Sequence, residues 1–288
     1  MKALTARRLE AMTGYFFVAP AMLGFIIFVF APTIIVMVLS LYEWDLIRTP
    51  IFLGFDNFAR LFSSPSFQNT LRVTSLYVLI YLPPMYILAM LFALALKNIN
   101  KGHKLLRAII LLPWITTPIA ISIVWRWVLN PQIGIVGYYT RRLGLGHIDF
   151  FTADMALITV ALVNIWQFVG FNTLLFFIGM QNIPVEYYEA AEIDGVSGFS
   201  RFFGITLPLL KPTIMYQTVT GLIHSFQVFD TVFAMFRGGP GDRTNVIYFA
   251  IYLEGFQYLN MGYAAAMCTV LFMILLAVTI VQLRMYRD

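Results

Sequence analysis

The sequence predicts an all-α membrane protein of six transmembrane helices, and three observations carry that prediction. Hydrophobic residues make up 60% of the 288 and charged residues only 11%, where the water-facing surface of a soluble domain calls for about 25% charge. Mean hydropathy is +0.81. The few charges sit in short clusters between long apolar runs, and a bilayer core demands about 20 mostly apolar helical residues per crossing.

Six runs satisfy that demand: Tyr15 to Leu41, Leu71 to Leu96, Leu105 to Leu129, Met155 to Met180, Pro212 to Met235 and Gly262 to Leu283. The first is long enough to tilt, and Pro20 and Pro32 are expected to kink it, as Pro83 and Pro84 are in the second. Breaks of this kind persist in a membrane where neighbouring helices or trapped water satisfy the freed carbonyls, which implies a packed bundle. The fifth run is the least apolar, carrying Thr213, Gln217, Thr218, Thr220, His224, Ser225, Gln227 and Asp230. Part of it therefore faces water or protein. All 288 residues read as one transmembrane domain.

Lys and Arg between the runs set the orientation. Lys2, Arg7, Arg8, Lys97, Lys101, Lys104, Arg107, Arg201, Lys211, Arg284 and Arg287 fall on the side of the N-terminus, against Arg48, Arg60, Arg141, Arg142, Arg237 and Arg243 on the other. Both termini are expected in the cytoplasm. The opening run is too long for a secretory leader and lacks a small-residue cleavage site, so it reads as an uncleaved anchor. A net charge of +5 with so few, clustered cations does not describe a nucleic-acid surface. The single cysteine, Cys268, lies in the last run and forms no intrachain disulfide. His103 and His147 have no partner at metal-ligand spacing, so no metal site is expected. Arg126, between Trp125 and Trp127, reads as an anchor at headgroup depth.

One cytoplasmic stretch, residues 182–212, looks built for a partner. It reads as two short helices. Pro184 and Glu186 suit the start of the first, and Gly195 supplies the left-handed residue that ends it. Ser197 caps the second, which Pro208 is expected to close. Ala190 and Ala191 are small enough to let another surface approach the backbone, and Glu189, Glu192 and Asp194 place charge around them. On these residues alone, an ordinary acidic interfacial helix pair explains the stretch equally well.

Here the residues resemble a family. Glu189-Ala190-Ala191, Asp194-Gly195, Ile205, Leu207-Pro208 and Pro212 resemble, in order, the signature cytoplasmic loop of the permease subunits of ABC importers. Along nearly the whole chain the resemblance is to the maltose-type (MalF-like) carbohydrate permeases. It is carried by Gly54 to Phe58, Arg107 with Leu112-Pro113-Trp114, Trp125 with Asn130-Pro131 and Gly134, Phe229-Asp230, Gly238-Gly239-Pro240, Thr244 and Tyr252 to Phe256. Glu192 departs from the third alanine of many relatives.

The resemblance implies the type I ABC importer (MetI-like) permease fold in a bacterial inner membrane. It also implies a second, homologous permease, two cytoplasmic ATPase subunits and an extracytoplasmic solute-binding protein. Glu189, Ala190, Ala191, Asp194 and Gly195 would then form the contact that couples to the ATPase. The chain contains no G-x-x-x-x-G-K-[ST] loop, so ATP and Mg belong to the partners and this subunit is no enzyme and binds no cofactor. The implied cargo is a sugar or oligosaccharide, contacted by Thr220, His224, Gln227 and Asp230, with Gln167, Phe168 and Phe171 from the fourth run. Thr220, His224 and Gln227 are spaced for one helix face. On the residues alone, they serve equally well as bonds between neighbouring helices.

Three rival readings are weaker. An ion-coupled carrier needs ionisable groups near the midplane, and almost all of these lie in loops or at run ends. A membrane enzyme needs a nucleophile-base set, and none is spaced for it. A permease for an anion such as a glycerol phosphate calls for a cation in the cavity.

Overall fold

The structure, a computed structural model, describes residues 2–97, 99, 102–144, 146 and 148–287, with side chains from 11 to 285 except that of residue 103. The side chains of Lys2, Arg7, Arg8, His103 and Arg287, and the whole of Lys101 and His147, lie outside what is described. The chain divides into two compact units, residues 1–64 with 251–273, and 65–250 with 274–288.

The first unit opens with α1 (Lys2–Phe25), a wide π-helical turn (Ile26–Phe30) and α2 (Ala31–Leu39). No side chain from 11 to 39 is buried. The wide turn ends where the Ala31 N–H reaches Ile26 O, one residue before Pro32. Pro32 lacks an N–H and its ring crowds the carbonyl four residues back, and the wider turn relieves that crowding. A two-stranded hairpin follows, β1 (Tyr42–Glu43) with β2 (Ile51–Phe52), then α3 (Asp56–Ser63). Buried Asn57 donates to Ser40 O and Tyr42 O, both at 2.9 Å, so this residue clamps the hairpin to the end of the first span. Asp45 accepts the N–H groups of Arg48 and Ile47, which holds its carboxyl below the usual range.

The second unit is built on α4 (Pro65–Lys97), α5 (His103–Ile115), α6 (Pro118–Val128), α7 (Ile135–Arg142) and α8 (Ala156–Gln181). The cytoplasmic stretch contributes α9 (Glu186–Ile193), α10 (Gly198–Arg201), a second wide turn (Phe202–Thr206) and α11 (Leu207–Leu209). After it come α12 (Lys211–Phe226) and α13 (Asp230–Met235). Helix α14 (Ile247–Tyr252), a third wide turn (Leu253–Gln257) and α15 (Met261–Arg287) complete the chain and carry it between the units. Within the second unit α8 packs on α4 and α5, α12 on α4, and α6 on α13. Close approach depends on Gly170, where an added Cβ would stand 1.7 Å from the backbone oxygen of Ile110. One half of the core joins Ala89, Ala93 and Leu96 of α4 to Phe176, Phe177 and Met180 of α8.

Among the described residues four helices are long and apolar enough to cross a bilayer: Ala11–Leu39, Pro65–Lys97, Ala156–Gln181 and Met261–Met285. A bent pair, Lys104–Ile115 with Pro118–Val128, turned by 94°, is long and apolar enough only when its two helices are taken together, which brings the number to five if the pair is one span. Two runs expected to be continuous are therefore interrupted. The third breaks at Thr116-Thr117, both extended, because Pro118 supplies no N–H and disfavours helix in the residue before it. The fifth, expected from Pro212 to Met235, ends at Phe226 and restarts at Asp230, so α12 has only 16 residues.

Pro208 does not close the second cytoplasmic helix. The wide turn before it ends with the Leu207 N–H on Phe202 O, and Pro208 sits at the start of α11. This is the same arrangement that accommodates Pro32. Replacing Gly170 by Ala should lower the melting temperature of the detergent-solubilised protein, by the equivalent of about 1–3 kcal/mol of overpacking. Gly198→Ala, at a position with open space around its missing Cβ, should leave it unchanged. Equal melting temperatures for the two variants would remove the close contact at Gly170.

Candidate solute cavity and coupling surface

A cavity of about 420 Å³ lies where the two interrupted helices meet α4 and α8. Each wall is one helix face. Tyr77, Tyr81 and Met85 recur every four residues on α4; Asn164, Phe168, Phe171, Asn172 and Leu175 share one face of α8. The breaks supply the rest: Trp114 and Pro118 on one side, and Gln227 to Thr231 on the other, with Tyr216, Thr220, Gly221 and His224 from α12. The Trp114 and Phe171 rings stack at 4.5 Å and 12°, making an aromatic platform in the wall.

Six of the seven expected substrate residues line this space. Thr220 donates within its own helix, to Tyr216 O at 2.8 Å. His224 and Gln227 are exposed and Asp230 half-buried, and the three make no side-chain hydrogen bond to another described residue. The single-face argument needs correction for Gln227, which lies past the end of α12 at φ −95° and ψ 13°. It reaches the cavity because the helix has stopped there. Gln167 does not line the cavity at all. It is fully buried, and its Nε2 donates to Thr116 O at 3.1 Å. Its amide closes the break in the third span instead of facing solute.

Polar residues that went unread in the sequence hold the cavity wall together. Asn164 Nδ2 donates to the Tyr77 hydroxyl at 2.7 Å, and Asn164 Oδ1 accepts from Thr231 Oγ1 at 2.7 Å. Ser122 Oγ lies 3.2 Å from Thr231 Oγ1 and 2.7 Å from Pro118 O. One buried chain of polar groups thus joins α4, α8, α13 and α6. Arg126, expected as an interfacial anchor, also donates to Ala234 O at 3.3 Å, so it ties α6 to α13. A signal for the wall was present: Asn164, Phe168, Phe171, Asn172 and Leu175 form a polar and aromatic stripe at helical spacing through an apolar span. The lining contains one carboxylate, Asp230, and one histidine, His224, but neither Lys nor Arg. Among the described residues no cluster of three His, Cys, Asp or Glu could hold a metal ion.

The cytoplasmic stretch forms a second surface. The α9 helix ends in a Schellman motif, with Gly195 at φ +67°, its N–H on Glu192 O and the Val196 N–H on Ala191 O. Ser197 Oγ accepts the Ser200 N–H at the start of α10. Glu189, Ala190, Asp194 and Gly195 are exposed. Ala191 is not: at 5% exposure it faces inward, where its small size lets α9 lie close to the body, and it cannot meet a partner. Exposed apolar residues join this surface instead, above all Ile193 at 87% and Phe199 at 76%.

Comparison with known proteins places this geometry. Residues 51–286 match the model of the family described as binding-protein-dependent transport system inner membrane component. The chain is 32% identical over 287 residues to a probable ABC transporter permease, YesP, of Bacillus subtilis, covering 98% of this chain and 92% of that one. It is 32% identical over 283 residues to the trehalose/maltose transport system permease MalF of Thermococcus litoralis (96% and 95%), and 31% over 272 residues to the sn-glycerol-3-phosphate permease UgpA of Agrobacterium fabrum (94% and 93%). A chain of the bacterial ABC transporter that imports the acidic polysaccharide alginate superimposes with a TM-score of 0.85 at 23% identity, covering 99% of this chain and 98% of that one. The chain therefore belongs to the family of binding-protein-dependent transport system inner-membrane components, the permease subunits of ABC importers, which are not themselves enzymes.

Proposed function

We propose that this permease carries a sugar or oligosaccharide through the cavity at the two helix breaks, by alternating access driven by ATP hydrolysis on partner subunits. The observation that carries the reading is the lining itself. Hydrogen-bonding side chains without a side-chain hydrogen-bond partner among the described residues (His224, Gln227, Asp230) stand near stacked aromatic rings, and sugars are held by hydroxyl hydrogen bonds and by rings against their apolar faces. A glycerol phosphate or an acidic polysaccharide would call for Arg or Lys at its charge, and this lining has neither. A relative named for trehalose and maltose supports the same choice.

The two units act as one permease domain of six spans, the fifth made by α12 and α13 together, with both termini in the cytoplasm of a bacterial inner membrane. A second, homologous permease completes the pore, two ATPase subunits bring ATP and Mg, and a solute-binding protein delivers cargo from outside. Glu189, Ala190, Asp194 and Gly195 meet the ATPase, with Ile193 and Phe199 as apolar anchors. Closure of the ATPase pair favours the outward-facing state by binding it more tightly.

Uptake into proteoliposomes by the complete complex tests this. Uptake should require ATP and the ATPase subunits; transport by this chain alone would sink the importer reading. Gln227→Ala should raise the KM for solute about three- to tenfold, the size of one lost hydrogen bond. Gln167→Leu should leave KM unchanged while lowering the melting temperature, because it removes the partner of Thr116 O. Unchanged KM in Gln227→Ala, with assembly confirmed, would take that residue out of the site.

A further inference from the structure

The eight residues of α9 send few side chains inward. Glu186, Tyr187, Glu189, Ala190, Glu192 and Ile193 are exposed, Ala191 is buried and Tyr188 is half-buried. A methyl group makes little grip, and among the described residues of α9 Tyr188 is the long side chain that is not exposed. It makes three separate contacts. Its ring packs on the core shared by α4 and α8. Lys97 Nζ, from the last residue of α4, lies 3.7 Å above the ring centroid. Its hydroxyl shares a 3.1 Å hydrogen bond with Thr206 Oγ1, at the end of the wide turn that continues through α11 to α12. The same two helices, α4 and α12, carry Tyr77, Tyr81, Thr220 and His224 to the cavity.

We infer that Tyr188 is the positioning residue that passes displacement of the coupling helix to the two cavity-lining helices, gripping α4 through Lys97 and α12 through Thr206. The inference rests on the importer reading above. Packed side chains and hydrogen bonds carry coupling between elements. Beside the buried methyl of Ala191, the described side-chain route from α9 runs through the ring and hydroxyl of Tyr188. Loss of the ring should leave the partner-facing residues of α9 in place and free them from the bundle.

The readout is the number of ATP molecules hydrolysed per solute taken up, measured on the reconstituted complex. Tyr188→Ala should co-purify with the ATPase subunits, hydrolyse ATP at a rate within about threefold of the parent, and raise the ratio about tenfold. Tyr188→Phe, which keeps the ring and the Lys97 contact, should bring the ratio back to within about threefold of the parent. Lys97→Met and Thr206→Val each remove one contact and leave the tyrosine in place, so they serve if the alanine variant fails to assemble; each should raise the ratio by about threefold. A merely structural role would depress hydrolysis and uptake together at a constant ratio. A parental ratio in Lys97→Met and Thr206→Val, or a parental ratio in an assembled Tyr188→Ala complex, overturns the inference while leaving the importer reading standing. Uptake by the parent complex without ATP overturns both.

Discussion

Lipid offers no hydrogen bonds, so every backbone group freed inside a spanning helix must find a partner in the protein or line a wet cavity. An unsatisfied group there costs several kcal/mol. That constraint organises the second unit. The third run breaks at Thr116-Thr117, and buried Gln167 donates its Nε2–H to Thr116 O. The fifth stops at Phe226, and the three residues before Asp230 border a cavity. Two broken helices packed against two unbroken ones, α4 and α8, leave a polar-lined space where four continuous helices would close on themselves. The cavity is thus a consequence of where the helices stop.

The walls of that space are held by a polar chain from Tyr77 through Asn164 and Thr231 to Ser122. In an interior of low dielectric such a chain rigidifies what it joins, because each member becomes costly to leave unpaired. The groups left over, His224, Gln227 and Asp230, make no side-chain hydrogen bond to another described residue. At α9 the design is different. A short helix with a tightly capped end exposes charged and apolar residues and turns buried Ala191 and half-buried Tyr188 toward the bundle. If the proposed function holds, rigid walls would surround the solute and a light grip would hold the coupling helix.

Much of this was legible in the sequence. Apolar runs set out the long helices, and the ordered resemblance, strongest from Glu189 to Pro212, pointed to the permease family that the relatives show. Gly195 and Ser197 form the turn and cap their chemistry demanded. The misses have physical causes. Hydropathy averages over a break, so an apolar run gave no notice that the fifth span stops at Phe226; Asp230, an acidic residue suited to a first helical turn, was the available signal. The resemblance set Gln167 beside Phe168 and Phe171, but successive residues on a helix point about 100° apart, and Gln167 faces the neighbouring break. Ala191 resembled a contact residue, while burial assigns it to the near side of α9. Pro208 reads as a helix stop in any local rule, and only a wide turn upstream lets the chain pass it.

The account turns on one claim, that the space between the two helix breaks is the solute path. Cys268 is the single cysteine, so a Cys268→Ser background lets one engineered thiol report on the cavity. Phe168→Cys in that background, in the assembled complex, should react with a small membrane-impermeant thiol reagent. The modification should block ATP-driven uptake, and saturating solute together with nucleotide trapping should change the labelling rate. A thiol at position 168 that stays unlabelled in every nucleotide state, or labelling that leaves uptake intact, would contradict the account.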